Sequence, residues 1–126
     1  MLINKTQIKV RYGETDQMGI VNNAVYPSWF EIGRTELFGE IKMPYSELEK
    51  KGTLLPLSEL RVKYHTPALY EDLLTIATII RYMPSARLVF DYEIQKENGV
   101  LVASGETTHA FLDAKSRRPT RIPDHL

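Results

Sequence analysis

The sequence contains no cysteine, so disulfide bonds, thiolate nucleophiles and thiolate metal ligands are excluded, and the fold must be held by packing alone. It also has no net charge, because 16 basic residues balance 16 acidic ones. Such a chain has no overall field that attracts nucleic acid or an anionic membrane. Long apolar runs are missing too: none approaches the roughly 18 residues of a membrane-spanning helix, and the N-terminus lacks a signal-peptide core. We therefore expect a cytoplasmic protein with no nucleic-acid partner and no membrane partner.

What is present is typical of one globular domain. The chain has 126 residues, of which 43% are hydrophobic and 25% are charged. Its seven glycines and seven prolines are scattered singly, and no linker, repeat or low-complexity tract separates one part of the chain from another. These features predict a single domain over residues 1–126.

The segment YGETDQMGIVNNAVYPSWFEIGRTELF, residues 12–38, places an acidic, turn-rich loop directly before an apolar helix. A short strand is predicted over residues 7–12 and a helix over about residues 24–38. Asn22 or Asn23 is the expected N-cap, Pro27 fits the first turn, and Gly39 is expected to end the helix in the left-handed conformation. Apolar residues cover most of the circumference of this helix, which predicts that other structure surrounds it.

Four β-rich segments and a short helix follow this helix. The helix is predicted over residues 44–52, and the strands over residues 54–66, 73–83, 86–96 and 100–113, with alternating polar and apolar residues. Asn98-Gly99 and Pro84-Ser85 predict two tight reversals, so the sheet is antiparallel. The expected fold class is α+β, a five-stranded sheet wrapped around one long central helix. Pairing with a second copy is one way to protect the open sheet edge.

The junction between loop and helix is the candidate site. Helix starts expose unpaired N–H groups at the positive end of the helix dipole, and they stabilise an anionic oxygen. Asp16 supplies a carboxylate nearby, although an Asp in such a loop also commonly serves as a turn residue. Glu14 is read as solvated or as a polar neighbour of the site, and Glu31 with Arg34 as an ion pair one helical turn apart.

Other kinds of site find little support in the sequence. His65 and His109 have no metal-ligand spacing, so no metal is expected. The glycines form no phosphate-binding GxGxxG pattern, and no serine lies in a Gly-x-Ser-x-Gly elbow.

The residues of the loop and helix resemble the signature of the hotdog-fold acyl-CoA thioesterases, specifically the 4-hydroxybenzoyl-CoA thioesterase-like family. That signature joins a strand ending in Arg-Tyr, an acidic loop, a glycine turn and an aromatic helix with Glu and Arg. Here the matching residues are Arg11-Tyr12, Thr15-Asp16, Gly19-Ile20-Val21, Tyr26, Trp29-Phe30, Glu31 and Arg34. Residues 62–68 with Asp72, and Arg118-Pro119 through Ile122-Pro123, resemble later parts of the family. Asn23 departs from the His that many bacterial members carry there.

The resemblance implies hydrolysis of an acyl-CoA thioester by a hotdog-fold homodimer or homotetramer, with no metal and no organic cofactor, at a site built across the dimer interface. Asp16 corresponds to the catalytic carboxylate, acting as nucleophile or as general base, and the backbone N–H of Asn23 to the oxyanion donor. The residues expected to bind substrate are Tyr12, Gly19, Val21, Tyr26, His65, Arg81, Ser85 and Arg87.

Several alternatives stay open at this stage. The basic residues Arg81 and Arg87, or else Arg117 and Arg118, meet the CoA phosphates or are simply solvated charges. An acyl carrier protein is an alternative to CoA as the carrier, and the acyl group is either a small aromatic or a fatty one. A CoA-linked hydratase or dehydratase on the same fold and a non-catalytic acyl-CoA binder are alternative functions.

Overall fold

One long helix lies across a twisted antiparallel sheet in a computed structural model that describes residues 1–122. The last four residues of the expected domain, among them Pro123 of the C-terminal resemblance, lie outside the described residues. The elements in chain order are β1 (Leu2–Lys9), α1 (Tyr26–Glu40), α2 (Tyr45–Lys50), β2 (Thr53–Leu54), β3 (Leu57–Tyr64), β4 (Leu73–Ile80), β5 (Arg87–Lys96), β6 (Leu101–Ala110) and β7 (Leu112–Asp113).

The main sheet has five strands in the order β1-β4-β5-β6-β3, and every pairing is antiparallel. This confirms the expected α+β class. β1 and β3 are the two edge strands, while β2 and β7 form a separate two-stranded ribbon. Tyr64 at the end of β3 pairs with Ala103 of β6, and Ala103 pairs with Ile94 of β5, so these three residues lie in one row across the sheet.

Helix α1 packs one face against one side of the sheet. The Phe30 ring stacks on the Tyr92 ring with centroids 4.2 Å apart. A Cβ atom on Gly105 would lie 2.5 Å from the Phe30 ring, so a glycine is needed where the helix meets β6. Trp29 and Phe38 are also buried against the core.

The opposite face of α1 is exposed, and it carries Glu31, Ile32, Thr35 and Glu36. The expectation that other structure surrounds the helix is therefore wrong for a single chain. Ile32 is one of the apolar residues on which the expectation was based, but it is 38% exposed and the sheet does not cover it.

Several predicted boundaries are wrong. The first strand is β1, not residues 7–12, because its pairing with β4 runs from Leu2–Ile80 to Lys9–Leu73 and ends before the loop. Gly39 is helical, and the positive φ that follows α1 belongs to Lys42, at 61°. The β4–β5 connection, residues 81–86, is an open six-residue loop, not a tight reversal at Pro84-Ser85.

Two of the predicted strands are each divided in two. Residues 54–66 separate into β2 and β3 at Pro56, which has no N–H to donate to a ladder. Residues 100–113 separate into β6 and β7. Other features are as predicted: α2 forms, β5 alternates buried and exposed residues, and Gly99 at φ 86° closes the β5–β6 hairpin with Asn98.

Candidate functional site

A one-turn 3₁₀ helix at residues 23–25 leads directly into α1, and Asn22 caps it. The Asn22 side-chain oxygen accepts from the Ala24 N–H at 2.9 Å, and its backbone oxygen accepts from the Val25 N–H at 3.0 Å. By contrast, no acceptor among residues 1–122 bonds the Asn23 N–H. Asn22, one of the two caps that the sequence predicted, therefore caps the 3₁₀ turn, and one unpaired donor is left three residues before α1 begins.

Asp16 opens the tight turn of the preceding loop. Its N–H donates to the Ile20 oxygen at 2.9 Å, and its own oxygen accepts from the Gly19 N–H at 3.0 Å. Gly19 has φ 78°, a conformation that favours glycine. The Asp16 Oδ1 accepts from the Met18 N–H at 2.8 Å, which is the turn role considered from the sequence. Within residues 1–122, Oδ2 has no hydrogen-bond partner and remains available for chemistry.

The unpaired N–H lies beside a surface pocket of about 210 Å³ at the end of β3. Four of the expected site residues line it: Val21, Asn23, Tyr26 and His65. The remaining lining residues are Ile20, Tyr64, Thr66 and Pro67. Asp16 does not line this pocket. It lies on the loop that enters it, and the Thr15–Val21 bridge ties the two arms of that loop together.

Tyr64 is a pocket residue that sequence reasoning did not assign. Its hydroxyl donates to the Asn23 backbone oxygen at 3.1 Å, and its ring meets the Tyr26 ring edge-on at 5.2 Å. Tyr64 thus holds the first residue of the helix start. Burial raises the pKa of the Tyr26 phenol, so this side chain stays neutral. Its place directly before His65, an expected site residue, was the signal in the sequence.

His65 follows β3 directly, and its Nε2 lies 2.9 Å from the Ser104 hydroxyl. Tyr12 is separate from the pocket. It is 75% exposed and meets the Tyr70 ring edge-on at 5.6 Å. In one chain, His65 therefore lines the pocket and Tyr12 does not.

Of the residues expected at the CoA phosphates, Arg87 lies toward the other end of the sheet. Arg87, which pairs with Ala110, lies seven residues before Ile94 on β5. Ile94 is level with Tyr64 of the pocket, because both pair with Ala103 of β6. At 3.3 Å per strand residue this separation is about 23 Å. Arg81 is paired with Asp91 at 2.9 Å, and Ser85 is exposed in the β4–β5 loop. One chain does not bring these three residues to the pocket.

Glu14 is buried, at 9% exposure, so the expectation of a solvated side chain is wrong. Its Oε2 accepts from the Trp29 indole N–H at 3.0 Å, and its Oε1 from the Arg11 N–H at 2.8 Å. The sequence did not reveal this because both donors depend on how the loop folds back against α1.

The predicted ion pair between Glu31 and Arg34 is absent from the part of the chain that the structure describes. Arg34 turns inward instead, and its Nη1 donates to the Tyr92 hydroxyl at 3.1 Å. Its Nε is buried without a partner among these residues. The outward face of the helix therefore keeps Glu31, while the cation enters the core.

Arg34 begins a chain of hydrogen bonds whose direction is fixed. His109 Nδ1 lies 3.1 Å from the Leu55 oxygen, which only accepts, so Nδ1 carries the imidazole proton. His109 Nε2 therefore accepts from the Thr107 hydroxyl at 3.0 Å, and Thr107 accepts from the Tyr92 hydroxyl at 2.6 Å. Burial raises the pKa of Tyr92 to about 12. Burial, aided by the Arg34 charge, lowers the pKa of His109 to about 4. The chain thus requires a neutral His109.

Within residues 1–122, no three His, Asp or Glu side chains are grouped to hold a metal ion. No helix in that part of the chain has the length and apolar character to cross a membrane.

Comparison with known proteins gives consistent results. The sequence profile of the thioesterase-like superfamily matches residues 10–126. YneP of Bacillus subtilis, whose name assigns it acyl-CoA thioesterase activity provisionally, is 37% identical over 122 residues, which cover 97% of this chain and 88% of that protein. The acyl-acyl carrier protein thioesterase ATL2 of Arabidopsis thaliana is 32% identical, over 98% of this chain and 65% of its own length. A DHNA-CoA thioesterase structure from Staphylococcus aureus matches with a TM-score of 0.90 at 30% identity, covering 96% of this chain and 81% of its own.

A long helix held against a five-stranded antiparallel sheet, with solved thioesterases as structural neighbours, identifies the fold as a hotdog fold, as expected. The chain belongs to the thioesterase-like superfamily, and the expected enzyme class, a thioesterase, is confirmed.

Proposed function

We propose that this protein hydrolyses the thioester of a small aromatic or fatty acyl-CoA to a free acid and CoA. The observation that carries the proposal is the Asn23 N–H, which has no acceptor among residues 1–122; Asn23 lines the pocket and begins the 3₁₀ turn that leads into the 15-residue helix α1. As the thioester carbon is attacked, negative charge develops on its oxygen. A fixed N–H donor in this position stabilises that charge, and loss of such a donor typically costs about 10²–10³ in rate.

Asp16 supplies the carboxylate in one of two ways. As a general base it takes a proton from water, whose oxygen attacks the carbonyl carbon while the thiolate of CoA leaves and is then protonated. As a nucleophile its oxygen attacks the carbonyl carbon and expels the thiolate of CoA, which is then protonated; water cleaves the resulting mixed anhydride to the free acid and regenerates the Asp16 carboxylate. Both routes use the unpaired Oδ2, because Oδ1 is held by the Met18 N–H.

The site is completed by a second copy of the chain in this proposal. The edge strand β3 leaves Leu57, Leu60 and Tyr64 at 49%, 39% and 49% exposure. An open apolar edge of this length favours pairing with another strand. If two β3 strands pair with Leu60 opposite Leu60, each Glu59 lies opposite an Arg61, so charges of opposite sign meet twice. A homodimer, or a homotetramer built from that dimer, pairs the free backbone groups of the β3 edge.

The same assembly bears on the carrier. Arg87 lies about 23 Å along the sheet from the pocket of its own chain, by the strand rise, and neither Arg81 nor Ser85 lines that pocket. We assign them to CoA phosphates at the partner's site or at the far end of an extended ligand. ATL2 is named an acyl-acyl carrier protein thioesterase, so an acyl carrier protein is the alternative to CoA as the carrier.

A thiol-release assay with aromatic and fatty acyl-CoA substrates, repeated with the same acyl groups on acyl carrier protein, tests the proposal. Asp16→Asn is expected to lower kcat about 10²–10⁴-fold, the usual contribution of a positioned acid or base. Wild-type turnover by that variant would show that Asp16 has no catalytic role. Binding of acyl-CoA without any turnover would establish a non-catalytic binder, and consumption of an enoyl-CoA without thiol release would establish a hydratase.

The backbone donor has its own matched pair of variants. Asn23→Pro removes the N–H and little else, because residue 23 is the first helical position, where proline fits, and Asn22 is already extended at φ −64° and ψ 138°. Asn23→Ala keeps the N–H. We expect a loss of about 10²–10³ in kcat for Asn23→Pro and less than tenfold for Asn23→Ala. Equal losses in the two variants would place the function in the side chain instead.

A further inference from the structure

The Glu14 carboxylate joins three parts of the chain around the candidate site. Its Oε1 accepts from the Arg11 N–H at 2.8 Å, just after β1, and its Oε2 accepts from the Trp29 indole at 3.0 Å, in the first turn of α1. The exposed Arg11 guanidinium lies 3.5 Å from Oε2. Hydrogen bonds to a carboxylate are stronger than neutral ones, and here both the acceptor and the indole are shielded from water.

The backbone of Glu14 adds a fourth connection. Its oxygen accepts from the Asn22 N–H at 2.9 Å. Asn22 immediately precedes the unpaired Asn23 N–H, and Asp16 follows Glu14 by two residues. One residue therefore holds the start of the loop, the capping residue and the helix in a fixed relation.

We propose that Glu14 is a positioning residue that sets the Asp16 carboxylate against the Asn23 N–H through its bonds to Trp29 and Arg11. This inference rests on the proposed function, in which those two groups act on one thioester. A displacement of about 1 Å between reacting groups costs about 10²-fold in rate, so such a brace affects kcat more than substrate binding.

Glu14→Gln is the informative substitution. It keeps the shape of the side chain but replaces one acceptor oxygen by a donor, so either the Arg11 N–H or the Trp29 indole N–H loses its partner. Kinetics with the best acyl substrate from the panel are measured in the wild-type and Asp16→Asn backgrounds. Glu36→Gln, on the exposed face of α1, is the matched control.

We expect Glu14→Gln to lower kcat about 10- to 100-fold with a KM change below threefold, and Glu36→Gln to leave both unchanged. In the Asp16→Asn background, Glu14→Gln should add less than threefold, because the group that it positions is already missing. Trp29 is the sole tryptophan of the chain, so its emission spectrum should shift in Glu14→Gln and stay constant in Glu36→Gln.

Wild-type kcat in a folded Glu14→Gln variant overturns the proposal. Equal losses in the two backgrounds also overturn it, because they indicate general destabilisation. If Glu14→Gln does not fold, Trp29→Phe decides: it removes one donor and keeps a ring, so a three- to tenfold loss of kcat supports the proposal and unchanged kcat refutes it. Failure of the proposed function is seen separately, as full activity of Asp16→Asn alone.

Discussion

Acid should destabilise this protein through one buried histidine. His109 is 2% exposed, accepts a hydrogen bond from Thr107 and donates one to the Leu55 oxygen, while the Phe90 ring meets it edge-on at 5.3 Å. A proton added at Nε2 would remove the acceptor that Thr107 needs. It would also place a second positive charge in the core that already holds Arg34.

The size of the effect follows from the pKa. Burial first, and then the Arg34 charge, lower the pKa of His109 from 6.5 to about 4. One pKa unit corresponds to about 1.4 kcal/mol, so protonating the folded protein is about 3 kcal/mol less favourable than protonating the unfolded chain. Between pH 6.5 and about 4 the unfolded chain binds more protons, so stability is complete above pH 6.5 and falls as the pH falls through this window. By pH 5 the loss from His109 is about 2 kcal/mol.

Urea unfolding at fixed protein concentration, from pH 7.5 down to pH 4.5, measures this loss. The His109→Gln variant has no side chain at position 109 that gains a proton in this range, and it keeps every other titrating group of the wild type. The difference between the stability curves of the two proteins against pH therefore isolates the contribution of His109. Between pH 7.5 and pH 5 we expect the free energy of unfolding of the wild type to fall by about 2 kcal/mol more than that of His109→Gln. Parallel curves would refute the argument, and so would an NMR titration of His109 with a midpoint near 6.5.

Three further predictions concern packing and assembly. Gly39→Ala should stabilise the protein by about 0.5–1 kcal/mol, because Gly39 is helical with open space at its Cβ; destabilisation in thermal unfolding would mean that the left-handed ending expected from sequence is real. Gly105→Ala should destabilise by about 1–3 kcal/mol or more, since its Cβ would lie 2.5 Å from the Phe30 ring; a melting temperature like that of wild type would contradict this contact. Leu60→Glu should convert the oligomer to monomers in light scattering and abolish activity, whereas Ile3→Glu on the β1 edge should do neither; an intact oligomer with Leu60→Glu would rule out β3 as the interface.

The strand pattern and the loop–helix junction were readable from sequence because they depend on near neighbours. Alternation along β5, the Asn98-Gly99 turn and the Asn22 cap each involve residues within about four positions of one another. The motif from Tyr12 to Arg34 is likewise local, and it indicated the family correctly. The roles of Asp16 and Asn23 at the site stay predictions.

Two of the wrong predictions have the same cause: each relied on the local preference of one residue, and contacts elsewhere in the fold decided otherwise. Gly39 was expected to end the helix because glycine favours that conformation, but α1 continues to Glu40 and Lys42 takes the positive φ. Glu14 was expected either in solvent or as a polar neighbour of the site; the first alternative is wrong, because the Trp29 indole supplies a buried donor fifteen residues away.

By itself, the sequence determined the fold class, the helix start and the family, because helical and strand periods and capping chemistry are written in short stretches of chain. The tertiary structure alone decided that Arg34 points into the core, that the Asn23 N–H is left without an acceptor among residues 1–122, and that β3 is an uncovered edge. Each of these depends on which distant segment covers a given face. Local preference cannot specify that, since the same side chain is stable in water or in the core according to the partners that folding brings to it.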